Sequence, residues 1–141
     1  MTDRILGLIG IMRRASALVV GEDRISEAVQ HGLVKILMIP SDVGDSVRKY
    51  AVHAAGNRRL QMIELPYRTE ELSTAVGLSN CRIAAVTDLG FAKTMISMLV
   101  KQNPGRYEAE AENINRRFDK RERRKKEKPG LKTKKKSAGE E

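Results

Sequence analysis

Between residues 3 and 14 the apolar side chains Ile5, Leu6, Leu8, Ile9 and Met12 recur at helical spacing, and Asp3 ahead of them is a natural N-cap. Gly7 and Gly10 lower helix propensity there and permit another backbone to come close. Residues 15–17 read as a turn and 18–20 as a short strand. Over 22–31, Ile25, Ala28 and Val29 share one face of a helix that stops at Gly32. Ile36, Leu37, Met38 and Ile39 form a continuous apolar run, the pattern of a central strand covered on both faces, within 35–40. A loop at 42–45 leads into a helix of about 45–56, with Val47, Tyr50, Ala51 and Ala54 facing inward. A turn at 57–59 precedes a strand over 61–65. Thr69-Glu70-Glu71-Leu72 opens a short helix ending at Gly77. Residues 82–87 are a second buried strand. Asp88-Leu89-Gly90 turns into a helix over 91–101, with Met95, Ile96, Leu99 and Val100 inward, closed by Asn103-Pro104-Gly105.

Strands alternating with helices predict an α/β fold over 1–105: a three-layer α/β/α sandwich of five helices around a mixed sheet of about four strands. Beyond Arg106 the apolar positions thin to Tyr107, Ala111, Ile114 and Phe118, again at helical spacing. They predict one further helix of about five turns, fraying before Pro129-Gly130, with disorder over 131–141. The chain therefore divides into a domain, 1–105, and a basic tail, 106–141, partly helical and then disordered. It contains no internal repeat.

Charge separates the two parts. The 141 residues carry a formal charge of +9. Residues 1–105 hold 13 Lys and Arg against 10 Asp and Glu, whereas 106–141 hold 14 against 8. A polycation binds polyanions by releasing their condensed counterions, which makes nucleic acid the natural partner of the tail. Arg116, Arg117, Lys120, Arg121, Arg123, Arg124, Lys125 and Lys126 are its candidate non-specific RNA contacts. An anionic membrane is the weaker reading, because after Phe118 no large apolar side chain follows until Leu131. No segment approaches the roughly 20 apolar residues of a membrane span, and the start lacks a signal-peptide pattern. The single cysteine excludes an intramolecular disulfide and fits a reducing compartment. The expectation is a cytoplasmic protein with no membrane partner.

Catalytic signatures are thin. His31 and His53 lie about twenty residues apart and, with Cys81 alone, form no metal set. A lone cysteine is ordinarily a small packed hydrophobe. Ser41-Asp42 and Thr87-Asp88 each follow a buried strand and could pair at adjacent strand ends, but capping the helices that follow is the better account. No phosphate loop or dinucleotide fingerprint occurs. We therefore expect no catalytic residues, no metal and no cofactor.

What remains is residues 18–43, strand–Gly–helix–Gly–strand, together with the loop at 77–82. Gly21, Glu22, Asp23 and Arg24 form a turn and the first turn of a helix. Carboxylates there can accept hydrogen bonds from guanine N–H edges, and amides and arginines can hold phosphates. Leu78 at a loop tip can stack on a splayed base while Asn80 and Arg82 touch the backbone. Two plainer readings stand beside these. First-turn acids complement the helix dipole, and the loop can be an ordinary helix-to-strand connector.

The segments LGLIGIMRRASALVVGED, EAVQHGLVKILMIPSDVGDS, and ELSTAVG followed by RIAAVTDLGFAK resemble the kink-turn-binding ribosomal protein family in its bacterial YlxQ-type form. That group includes the archaeal large-subunit protein L-seven-Ae and its L-thirty-e relatives. The resemblance covers about 4–101. It implies an α/β/α sandwich, binding of RNA bends flanked by sheared G·A pairs, and no catalysis. Against the family pattern G-x-N-E-x-x-K, Gly21 matches, Asp23 stands for Asn, Arg24 for Glu, and Glu27 for Lys. The bacterial form, closer to G-E-E with a downstream Lys, accommodates Glu22-Asp23, while Glu27 departs from it. Leu78, Ser79 and Asn80 fall on the loop that packs over the RNA bulge in relatives, and Asn80 holds a position that is basic in some.

The resulting expectation is a monomeric, ribosome-associated protein recognising bent, kink-turn-like RNA, with ribosomal or assembly proteins as possible further partners. The alternative is a protein-interaction or ribosome-assembly module in which the tail alone contacts RNA.

Overall fold

The computed structural model describes residues 3–58 and 60–127. The continuous apolar run becomes a strand, Ile36–Ile39, buried at every position. Successive strand side chains point to opposite faces. Ile36 and Met38 join one core cluster, and Leu37 and Ile39 join another. The elements run α1 (Arg4–Arg14), β1 (Leu18–Val20), α2 (Glu22–Gln30), β2 (Ile36–Ile39), α3 (Asp45–Arg58), β3 (Gln61–Glu64), α4 (Thr69–Val76), β4 (Ala84–Val86), α5 (Leu89–Gln102) and α6 (Glu108–Glu127). The expected three-layer sandwich is present. Helices α1, α4, α5 and α6 supply one core, and α2 and α3 the other, with the sheet between.

The sheet is mixed, in the order β1-β4-β2-β3. Strand β4 is antiparallel to both neighbours, and β2 and β3 are parallel. One end of the sheet therefore gathers the C-terminal ends of β1, β2 and β3 with the N-terminal end of β4. This topology corrects one reading of the sequence. Ser41-Asp42 follows β2 and Thr87-Asp88 follows β4, and two antiparallel strands put those segments at opposite ends of the sheet. They cannot form a paired site. Asp42 also does not cap the helix that follows it. Its carboxylate accepts from both the backbone N–H and the hydroxyl of Thr69, at 2.7 Å each, and so caps α4. Asp88 does cap the next helix, accepting from the Phe91 N–H at 2.9 Å, which starts α5 at Leu89 rather than at 91. Strand β4 begins at Ala84 rather than at 82, because its partner β1 ends at Val20.

Helix α6 continues the body. Tyr107, Ala111 and Ile114 are buried in the same cluster as Met95 and Leu99 of α5, and Phe118 packs partly against it. The fraying expected before Pro129-Gly130 and the disorder expected over 131–141 lie outside the described residues. Among the described residues, no helix is long and apolar enough to cross a membrane.

Candidate nucleic-acid interface

The register Val20↔Ala84 decides the site. An antiparallel pair places the segment leaving one strand beside the segment entering the other. The Gly21 turn therefore lies at the same sheet end as the loop that delivers Arg82 into β4. The nine candidate residues (Gly21, Glu22, Asp23, Arg24, Glu27, Leu78, Ser79, Asn80 and Arg82) are all exposed.

Gly21 takes φ 95 and ψ 144, a region almost closed to side chains bearing a Cβ, and so lets the chain leave β1 and enter α2 at once. It supplies no capping side chain. Ile25, Ala28 and Val29 anchor the other face of α2, which leaves Asp23, Arg24 and Glu27 outward. The first turn is fixed from outside by a residue that the sequence marked only as inner-face packing. The Tyr50 hydroxyl of α3 donates to the Glu22 carbonyl at 2.8 Å and shares a short hydrogen bond with the Ser26 hydroxyl. Nothing in the spacing of Tyr50 distinguishes that role from core packing.

The loop is held at its base. Gly77 turns left-handed at φ 77, and the Leu78 N–H donates to the Ser73 carbonyl at 3.0 Å. The buried Ser73 hydroxyl accepts from the Cys81 N–H at 2.7 Å. Cys81 is buried, and burial pushes its thiol up to about 11, so it is the packed hydrophobe that the sequence indicated. Between these anchors, residues 78–80 project. Leu78 is 38% exposed, a sizeable apolar surface for a leucine in a polar loop. The Arg82 guanidinium donates to the Asn80 side-chain oxygen at 3.2 Å, which ties the two together. A polar cavity of about 530 Å³ adjoins the loop, lined by Asp42, Arg68, Thr69, Glu70, Ser73, Thr74, Leu78 and Ser79. The Thr69 hydrogen bonds, aided by the Arg68 charge, hold Asp42 below the usual carboxylate range.

The tail residues are placed elsewhere. Helix α6 starts at this sheet end, where the Tyr107 hydroxyl donates to the Glu64 carbonyl, and runs to the opposite end, where the Arg117 guanidinium reaches the Lys35 carbonyl at 3.4 Å. Arg116, Lys120, Arg123, Arg124, Lys125 and Lys126 are exposed, and Arg117 and Arg121 are half-buried. Arg116 pairs with Glu112, and Arg121 and Lys125 pair with Glu122. The structure thus puts the turn and the loop at one end of the sheet and the basic run at the other. Among the described residues there is no cluster of His, Cys, Asp or Glu able to hold a metal.

An α/β/α sandwich with a glycine turn and a pinned loop at one sheet end is the class of protein defined here. No family model matches the chain. The chain is a distant homologue of the Bacillus subtilis protein named RNA-binding protein YlxQ, 27% identical over 96 residues, which span 65% of this chain and 91% of that one. Among solved structures, a Bacillus halodurans protein of unknown function superposes with a TM-score of 0.62 at 26% identity, over 68% of this chain and 96% of that one. The Giardia lamblia 15.5kD RNA binding protein superposes with a TM-score of 0.55 at 14% identity, over 77% and 92%, and shares the fold.

Proposed function

We propose that this chain is a non-catalytic RNA-binding protein that recognises bent, kink-turn-like structured RNA, acting in the cytoplasm in association with ribosomes. The observation that carries the reading is the Val20↔Ala84 register, which puts an acid-bearing helix start at the same sheet end as a loop with an exposed Leu78. Glu22 and Asp23 are acceptors for guanine N–H groups, Leu78 offers a stacking surface, and Asn80 and Arg82 hold the backbone. The name of the Bacillus subtilis homologue supports RNA as the ligand.

The test compares full-length chain binding to a kink-turn RNA and to an unbent duplex of equal length, by gel shift at about 150 mM salt. We expect at least a tenfold preference for the bent RNA, lost in the double variant Glu22→Ala, Asp23→Ala. Equal affinity for both RNAs in the unaltered chain would overturn shape recognition and favour a protein-interaction module whose tail alone touches RNA.

A further inference from the structure

The basic half of α6 is displaced from the candidate turn and loop along the strands of the sheet. It lies at the other end of the sheet, since Arg117 reaches Lys35 at the start of β2, whereas the turn and loop lie beyond its finish. Phe118 borders the same depression as Asp88, Gly90 and Phe91, which follow β4 at that same end. Only the α2 side of the site lies on the other face of the sheet, since α2 packs with α3 there, whereas α4, which leads into the loop, shares the core of α6. At 1.5 Å of rise per residue, Arg123 lies about 24 Å along the axis from Tyr107, which marks the site end.

The exposed face of that half has its own pattern. Lys120, Arg123 and Arg124 are three and four residues apart and so are neighbours on one side of the helix. The nearest aromatic, Phe118, is half-buried and is covered by the Lys93 ammonium at 5.2 Å and the Arg121 guanidinium at 4.9 Å from the ring centroid. No aromatic is offered for stacking on splayed bases, so this surface suits the phosphates of a regular duplex. We propose that the basic half of α6 holds a second, separate duplex segment of RNA, so that one chain bridges two RNA segments held at opposite ends of the sheet. This inference rests on the RNA reading of the turn and loop given above.

The test uses the full chain. Kink-turn RNA is immobilised and saturated with protein, and a fluorescent unbent RNA duplex is then added. The unaltered chain is expected to capture the duplex, with capture falling steeply between about 50 and 200 mM salt. The variant Lys120→Glu, Arg123→Glu, Arg124→Glu changes exposed residues outside the ion pairs named above. It should reduce capture about tenfold or more, with a salt slope lower by about 3. Its binding to the kink-turn RNA should change less than threefold at about 150 mM salt, since the Debye length of about 8 Å is far below the separation. No capture by the unaltered chain, or kink-turn affinity falling in parallel with capture, overturns the bridge. Equal retention of the variant on kink-turn and unbent surfaces would instead sink shape recognition, while duplex capture lost only in the variant would still support the bridge.

Discussion

The Tyr50 hydroxyl donates to the Glu22 carbonyl at 2.8 Å and so ties α3 to the first turn of α2, where the candidate acids sit. Tyr50 is a positioning residue. Tyr50→Phe keeps the ring and removes both hydroxyl contacts, at an expected cost of about 1 kcal/mol in urea unfolding. With the turn loosened, kink-turn affinity should fall severalfold while unbent-duplex binding stays. An equal loss on both RNAs would show that the contact only stabilises the fold.

Glu27 is exposed one helical turn after Asp23, on the face of α2 turned away from the core. An acid there repels phosphate and cannot donate to guanine O6, and a lysine does the reverse. Glu27→Lys should therefore raise kink-turn affinity about tenfold, equivalent to about 1.4 kcal/mol, and unbent-duplex affinity by less than threefold. A uniform gain on both RNAs would reduce the effect to added charge.

Most of the fold was legible because local rules act locally. The apolar run at 36–39 announced a buried strand, Gly32 and Gly77 announced helix stops with positive φ, and Asp88 announced a cap. Strand direction has no local signature. Apolar residues look the same in parallel and antiparallel pairs, so the separation of Ser41-Asp42 from Thr87-Asp88 appeared only with the topology. For the same reason Asp42 was assigned to the helix beside it in sequence, whereas it caps one 27 residues on. The turn and loop were readable as candidates, but their place at one sheet end depends on the β1–β4 register. The stripe on α6 was visible, whereas the sheet end to which it carries the basic run was not.

The two glycines of α1, alike in the sequence, differ in the structure. A Cβ on Gly7 would meet nothing within 4 Å, and one on Gly10 would lie 3.0 Å from the Ala75 carbonyl oxygen of α4. Gly7→Ala should stabilise by about 0.5–1 kcal/mol through helix propensity. Gly10→Ala should destabilise by about 1–3 kcal/mol, because two backbones must separate. Thermal unfolding of the two variants should therefore shift in opposite directions, and equal shifts would refute the close approach of α1 and α4.

Cys81 links stability to high pH. Its folded thiol is raised to about 11 by burial, above the 9.0 of a free thiol. Between those values the unfolded chain has lost the proton that the folded chain still holds, so stability falls as pH rises. The decline is of the order of 2 kcal/mol and is absent below about pH 9. Cys81→Ala should remove that part of the slope between pH 9 and 11. Identical slopes in the two proteins would mean that the thiol titrates as if exposed.

Ile114 of α6 is fully buried, in one cluster with Tyr107 and Ala111 and with Leu99 and Met95 of α5. Truncating it leaves a cavity that neighbouring helices cannot easily close. Ile114→Ala should cost about 2–5 kcal/mol, and Phe118→Ala, half-exposed, clearly less. Removal of everything after Pro104 takes Tyr107, Ala111 and Ile114 together and bares the α5 face. That shortened chain is expected to unfold or associate, whereas removal of 128–141 leaves each of these contacts in place. Urea midpoints of the four proteins would decide where the domain ends. If the chain cut after Pro104 unfolds with full-length stability, α6 is an appendage, and the basic half loses the fixed position on which the RNA bridge depends.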